Sequence, residues 1–102
     1  MNHTQKAAFL DRDGVINIDH GYVSSPEQFE FIDGVFDACR HLQQQGYLLI
    51  VVTNQSGIGR GYYNEQQFAA LTQWMTAQFA QHGVSITEVF FCPHHPTNAI
   101  AP

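Results

Sequence analysis

Basic side chains are scarce in this 102-residue chain: Lys6, Arg12, Arg40 and Arg60 stand against nine acids, for a formal net charge of −5. A nucleic-acid surface needs a stripe of cations to displace counterions from a phosphate backbone, so the composition argues against a nucleic-acid partner. Long apolar runs are also missing. The stretch Tyr47-Leu48-Leu49-Ile50-Val51-Val52 falls far short of the roughly 20 apolar residues that a membrane-crossing helix requires. The first residues carry a single Lys6 before a short apolar stretch and lack the pattern of a secretion signal, so the expectation is a cytoplasmic chain with no membrane contact. Cysteine is limited to Cys39 and Cys92, too few and too differently placed for a disulfide framework. Cys39, set in a helical pattern, reads as a small buried hydrophobe.

A chain of this length buries roughly two-thirds of its unfolded surface, enough for one modest core. A single domain over 1–102 is therefore expected. Residues 7–10 form a short, wholly apolar run that ends at Asp11-Arg12-Asp13-Gly14, the pattern of a strand buried on both faces. Residues 17–31 hold turn formers and no sustained period, and read as an excursion able to frame a substrate. Val35, Ala38, Cys39 and Leu42 recur at helical spacing, with Gly46 as a helix stop. The continuous run 47–52 is typical of a central parallel strand.

The plan then repeats. Asn64 can cap a helix carrying Phe68, Leu71, Met75 and Phe79 on one face, Gly83 closes it, and 87–92 forms a third strand. Strand, helix, strand, helix, strand with such crossovers implies βαβ units, an α/β fold with a parallel sheet and helices on its faces. Ligands of such sheets bind at the carboxyl ends of the strands. Asp11 and Asp13, Thr53 and its neighbours, and Cys92 with His94 all fall at that edge.

Two carboxylates two residues apart in extended chain share one side, so Asp11 and Asp13 can address one substrate atom while Arg12 points away. Gly14 permits the turn that follows. Taken alone, Asp-x-Asp-Gly is as often a solvated turn or a piece of a calcium loop, and Thr53 alone could simply end a strand. The run Gly57-Ile58-Gly59-Arg60-Gly61 matches neither nucleotide-binding glycine pattern and reads as flexible loop.

Taken together, Phe-Leu-Asp-Arg-Asp-Gly-Val-Ile-Asn from Phe9, Val-Val-Thr-Asn-Gln-Ser-Gly-Ile-Gly-Arg-Gly from Val51 and Cys-Pro-His-His-Pro from Cys92 resemble the histidinol-phosphatase-like branch of the haloacid dehalogenase superfamily, across nearly the whole chain. Within that branch, Asn17-Ile18-Asp19-His20-Gly21-Tyr22-Val23 is similar to the heptose 1,7-bisphosphate 7-phosphatases of lipopolysaccharide core precursor synthesis. The resemblance implies a partial Rossmann-like, three-layer fold. It further implies Asp11 as nucleophile forming an aspartyl-phosphate, Asp13 as acid and then base, and Thr53 as phosphoryl ligand. The substrate would be a phosphorylated sugar, met by Asp19, His20, Gly21 and Tyr22, by the Thr53 loop with Asn54, Gln55 and Ser56, and by Arg60 at a second phosphate.

A phosphate beside two carboxylates needs a cation, so Mg2+ is implied at Asp11 and Asp13. Cys92 and His94 resemble the first half of a structural Zn2+ loop, an incomplete site because structural zinc takes four ligands. The branch places a phosphate-binding lysine, later acidic magnesium ligands and further strands beyond residue 102. The expectation is impaired turnover, and self-association through an open sheet edge at the first strand. A noncatalytic chain binding phosphate or a partner, and a histidinol-phosphate phosphatase, are the alternatives.

Overall fold

The computed structural model describes residues 5–92. Three parallel strands form the sheet: β1 (Lys6–Leu10), β2 (Tyr47–Asn54) and β3 (Ile86–Cys92), in the order β1-β2-β3. β1 meets β2 from Lys6 opposite Tyr47 to Leu10 opposite Val51, and β2 meets β3 through Asn54 opposite Cys92. The strands are joined by helices α1 (Val35–Gln44) and α3 (Glu65–Gln81), with a short α2 (Ser56–Gly59) after β2. This is the α/β parallel architecture expected from the alternating periodicities.

Local chemistry sets the ends of the helices. The Asn64 side chain accepts from the Gln67 amide while the Gln67 side chain accepts from the Asn64 amide, both at 2.8 Å, a reciprocal cap that satisfies two otherwise orphaned donors of α3. After α1, Gly46 sits at φ +90, a left-handed geometry that a side chain would resist, and the chain turns into β2.

Phe68, Leu71, Met75 and Phe79 are the buried stripe of α3, and Val35 and Cys39 that of α1. They close on Leu49 and Val51, which share one face of β2. The two helices lie on the same side of the sheet, where the Phe36 and Phe79 rings meet edge-on at 5.2 Å. Spatial order follows chain order, so both crossovers step the same way, and crossovers of one hand then lay both helices on one face. Among the described residues the sheet therefore has two layers, and its other face is bare. Phe9 is 67% exposed there, on the same face as Val52 and Phe90, in place of the doubly buried first strand that its apolar run suggested. A wholly apolar strand is buried on both faces only when both faces are covered.

Two further differences concern loops. β2 runs two residues past the apolar stretch, because Thr53 and Asn54 pair with Phe91 and Cys92. The glycine-rich segment expected to be loop begins as α2, closed by Gly61 N donating to Ile58 O at 3.0 Å.

Candidate active site

Every strand ends at the same edge of the sheet, and the loops leaving it build two adjoining hollows. One, of about 260 Å3, is lined by Asp11, Asp13, Asp19, Thr53 and Asn54. The other, of about 240 Å3, shares Asp13, Asp19 and Asn54 and extends to Tyr22, Gln55 and Tyr63. Three carboxylates on one concavity repel one another unless cations or donors intervene.

Extended backbone stops at Leu10, so the chain over 11–13 is a turn rather than a strand. Ile16 N donates to Arg12 O at 2.8 Å and Gly14 N to Asn17 O at 2.7 Å, and Gly14 takes φ +94. This turn folds Arg12 under the site instead of away from it. The side chain is 2% exposed, packs over the Phe29 ring, and Nη2 donates to Asp13 Oδ1 at 3.0 Å and to Val23 O at 2.9 Å. Asn17 Nδ2 donates to the same Oδ1 at 3.0 Å. Asp13 is thus clamped from beneath, whereas Asp11 is exposed and makes no recorded side-chain hydrogen bond among the described residues.

The end of β2 supplies the opposite wall. Thr53, buried, belongs to the same β2 face as Leu49 and Val51, and Gln55 Nε2 donates to its hydroxyl at 2.7 Å. Gln55 is itself buried and accepts from the Tyr63 hydroxyl. Burial pushes the Tyr63 phenol above its ordinary value of 10.0, with Arg12 pulling it down and Asp13 and Tyr22 pushing it up. Tyr63 carried no motif signal. Only its bulk and its place one residue before the α3 cap marked it.

The segment expected to meet a sugar divides. Asp19 Oδ1 accepts from Gly21 N at 3.0 Å, and Gly21 and Tyr22 both take positive φ, +85 and +50. A left-handed tyrosine is strained backbone, here setting the Tyr22 ring beside the hollow. Arg60 Cζ stands 5.9 Å from the Tyr22 ring centroid, outside the lining of both hollows. His20 turns aside, its Nε2 3.0 Å from Glu30 Oε1, in a separate depression. Ser56 begins α2. Cys92 is exposed at the end of β3, while His94 lies outside the described residues, so the zinc pair is not assembled among them.

A parallel sheet with an Asp-x-Asp turn and a buried threonine at its carboxyl edge is what the chain offers, and its fold is similar to solved haloacid dehalogenase-like structures. A heptose 1,7-bisphosphate phosphatase from B. bronchiseptica, complexed with magnesium and phosphate, superposes with a TM-score of 0.86 at 35% identity, covering 94% of this chain and 54% of that one. A haloacid dehalogenase-like protein from Mesorhizobium loti gives 0.83 at 36% identity, covering 95% and 46%. In sequence the chain is a homologue of the D-glycero-beta-D-manno-heptose-1,7-bisphosphate 7-phosphatases. It is 52% identical to that of Yersinia pestis over 99% of its own length and 54% of the relative's, and 56% identical to that of Vibrio cholerae over 92% and 50%. The chain spans about half the length of the curated relatives it matches. No family model matches it.

Proposed function

We propose that this chain supplies the nucleophile, the acid and base carboxylate and a phosphate-binding hydroxyl for hydrolysis of the 7-phosphate of D-glycero-D-manno-heptose 1,7-bisphosphate. The observation that carries the proposal is the meeting of Asp11, Asp13 and Thr53 in one hollow. Asp11, exposed and bearing no competing hydrogen bond among the described residues, is free to attack phosphorus in line. The phosphorus bond to the sugar oxygen breaks as the new one forms, and the departing oxygen takes a proton from Asp13. Asp13 then accepts a proton from the water that cleaves the aspartyl-phosphate. The bonds from Arg12, Asn17 and Gln55 hold its carboxylate in place for both tasks.

Magnesium is bound through one or two carboxylates completed by carbonyl, water and phosphate oxygens, a donor set that the Asp11 carboxylate and the Asp13 backbone carbonyl would meet, leaving the Asp13 carboxylate to its proton transfers. Among the described residues no group of three His, Cys, Asp or Glu side chains forms a fuller cage. The ion, when bound, neutralises charge on the phosphoryl oxygens. Asp19, Gly21 and Tyr22 line the space for the sugar, and Arg60, near the Tyr22 ring, is the cation for its second phosphate. A doubly phosphorylated sugar and two free thiols both suit the reducing cytoplasm, and lipopolysaccharide precursor synthesis is the setting in which that sugar is used.

Phosphate release from the heptose bisphosphate with Mg2+, beside an Asp11→Asn control, tests the proposal. Release above the control is expected, and a rate equal to the control overturns it. Histidinol phosphate run in parallel decides the substrate.

A second role has its own support. Phe9, in register with Ile50, and the neighbouring pair Val52 and Phe90 share the sheet face left bare among the described residues, at 67%, 41% and 55% exposure. Self-association through the open β1 edge, with this apolar face beside it and with or without catalysis, is expected to appear as concentration-dependent mass in sedimentation. A monomer at every concentration would remove it.

A further inference from the structure

We infer that Tyr63 and Gln55 are positioning residues that fix the direction of the Thr53 hydroxyl, leaving its proton to be donated to a phosphoryl oxygen in the hollow. The inference rests on the phosphatase reading of the site and goes beyond it in giving Tyr63, which lies after the Thr53 loop, a part in phosphate binding.

The direction follows from what each atom can do. Asp13 Oδ2 lies 3.4 Å from one end of the Gln55 amide, and Asp13, ion-paired with Arg12, is an acceptor. That end must therefore be the NH2 group, since an amide oxygen there would set two acceptors face to face. The same Nε2 reaches Thr53 Oγ1 at 2.7 Å, so the threonine oxygen is already accepting. Its own hydrogen meets no acceptor among the described residues and is left for a ligand. The other end of the amide is then the oxygen, and Tyr63 donates to it, locking the amide against rotation. The chain of donation runs from phenol to amide to hydroxyl to ligand, each bond polarising the next.

Two further observations fit. Tyr63 and Gln55 are both buried, so water does not compete for these bonds. Gly57, in the first turn of α2, leaves room for the phenol ring: a Cβ built there would stand 2.3 Å from Tyr63 Cε1.

The test is orthophosphate titrated with Mg2+ into the 15N-labelled full chain, read by NMR at the Thr53 amide and the Gln55 side-chain amide. Four forms are compared: unmodified, Tyr63→Phe, Thr53→Val, and the double variant. Tyr63→Phe keeps the ring and removes only the donor, and its affinity is expected to fall about fivefold to tenfold, the scale of one lost hydrogen bond. In the Thr53→Val background the same change is expected to move affinity less than about twofold, because no hydroxyl remains to be directed. Equal losses in both backgrounds, or no loss in Tyr63→Phe, overturn the inference while leaving the phosphatase proposal standing. Absence of phosphate binding by the unmodified chain overturns both.

Discussion

Replacing Gly57 by alanine isolates a steric demand from a conformational one. Its backbone lies outside the left-handed region, so alanine is permitted there on torsional grounds. The obstacle is space. The added carbon would lie 2.3 Å from Tyr63 Cε1, 3.0 Å from Tyr63 Cζ and 3.0 Å from Tyr22 Cδ1. Ring ends can swing when free, but Tyr63 is buried and held by its hydroxyl to Gln55, so the ring cannot withdraw without giving up that bond. Overpacking of this kind costs about 1–3 kcal/mol, and the better helix propensity of alanine returns up to about 1 kcal/mol. Mid-range values, about 2 kcal/mol of overpacking less about 0.5 kcal/mol of propensity, leave a net loss of about 1.5 kcal/mol, which at a urea dependence of roughly 1.5 kcal/mol/M lowers the unfolding midpoint by about 1 M. Equilibrium urea unfolding followed by circular dichroism measures it. In a Tyr63→Leu background, which lacks both ring atoms, most of the penalty should vanish. A single variant as stable as the parent, or an undiminished loss in the leucine background, would refute the steric account.

Other perturbations have equally direct readouts. Asn64→Ala removes the reciprocal cap of α3 and should cost about 1 kcal/mol in the same assay; an unchanged midpoint would deny the cap any role. Phe79→Ala opens a void where Phe31 and Phe36 meet beneath the sheet, and a loss of about 3–5 kcal/mol is expected, enough to unfold a marginal domain at room temperature. The Tyr63 phenol, raised chiefly by burial, contributes stability that is complete below its ordinary 10.0 and is lost as pH climbs through the higher folded value. Alkaline titration of the tyrosinate absorbance, with Tyr63→Phe as the difference control, should show this phenol ionising later than an unburied one; ionisation at or before the ordinary value would contradict it.

The strand and helix plan was legible because its signals are local. The stripe of Phe68, Leu71, Met75 and Phe79 needed only a period, and the α3 start only an asparagine able to cap it. The edge at which Asp11, Asp13 and Thr53 gather was legible from parallel topology. What escaped depends on partners distant in sequence. Arg12 looked like an outward residue in an extended run, yet the turn at Gly14 carries it inward to bond Val23 O and hold Asp13. The Gln55 and Tyr63 bond joins a strand end to a segment eight residues later, with no periodicity to announce it. The exposure of Phe9 turns on what covers the sheet, which an apolar run does not encode.

The placement of β2 between its two neighbours governs the order in which the molecule can assemble. No hairpin exists in the described sheet, and each strand finds its mate across roughly forty intervening residues, a separation typical of slow-forming folds. On the ribosome, at about 5–20 residues per second, β1 must wait about 2–8 s before anything emerges for it to pair with. During that interval the aspartates already exist, but the wall that will face them does not. A pause in translation just ahead of Tyr47 would lengthen the vulnerable period, whereas one beyond Cys92 would fall after all three strands had been made.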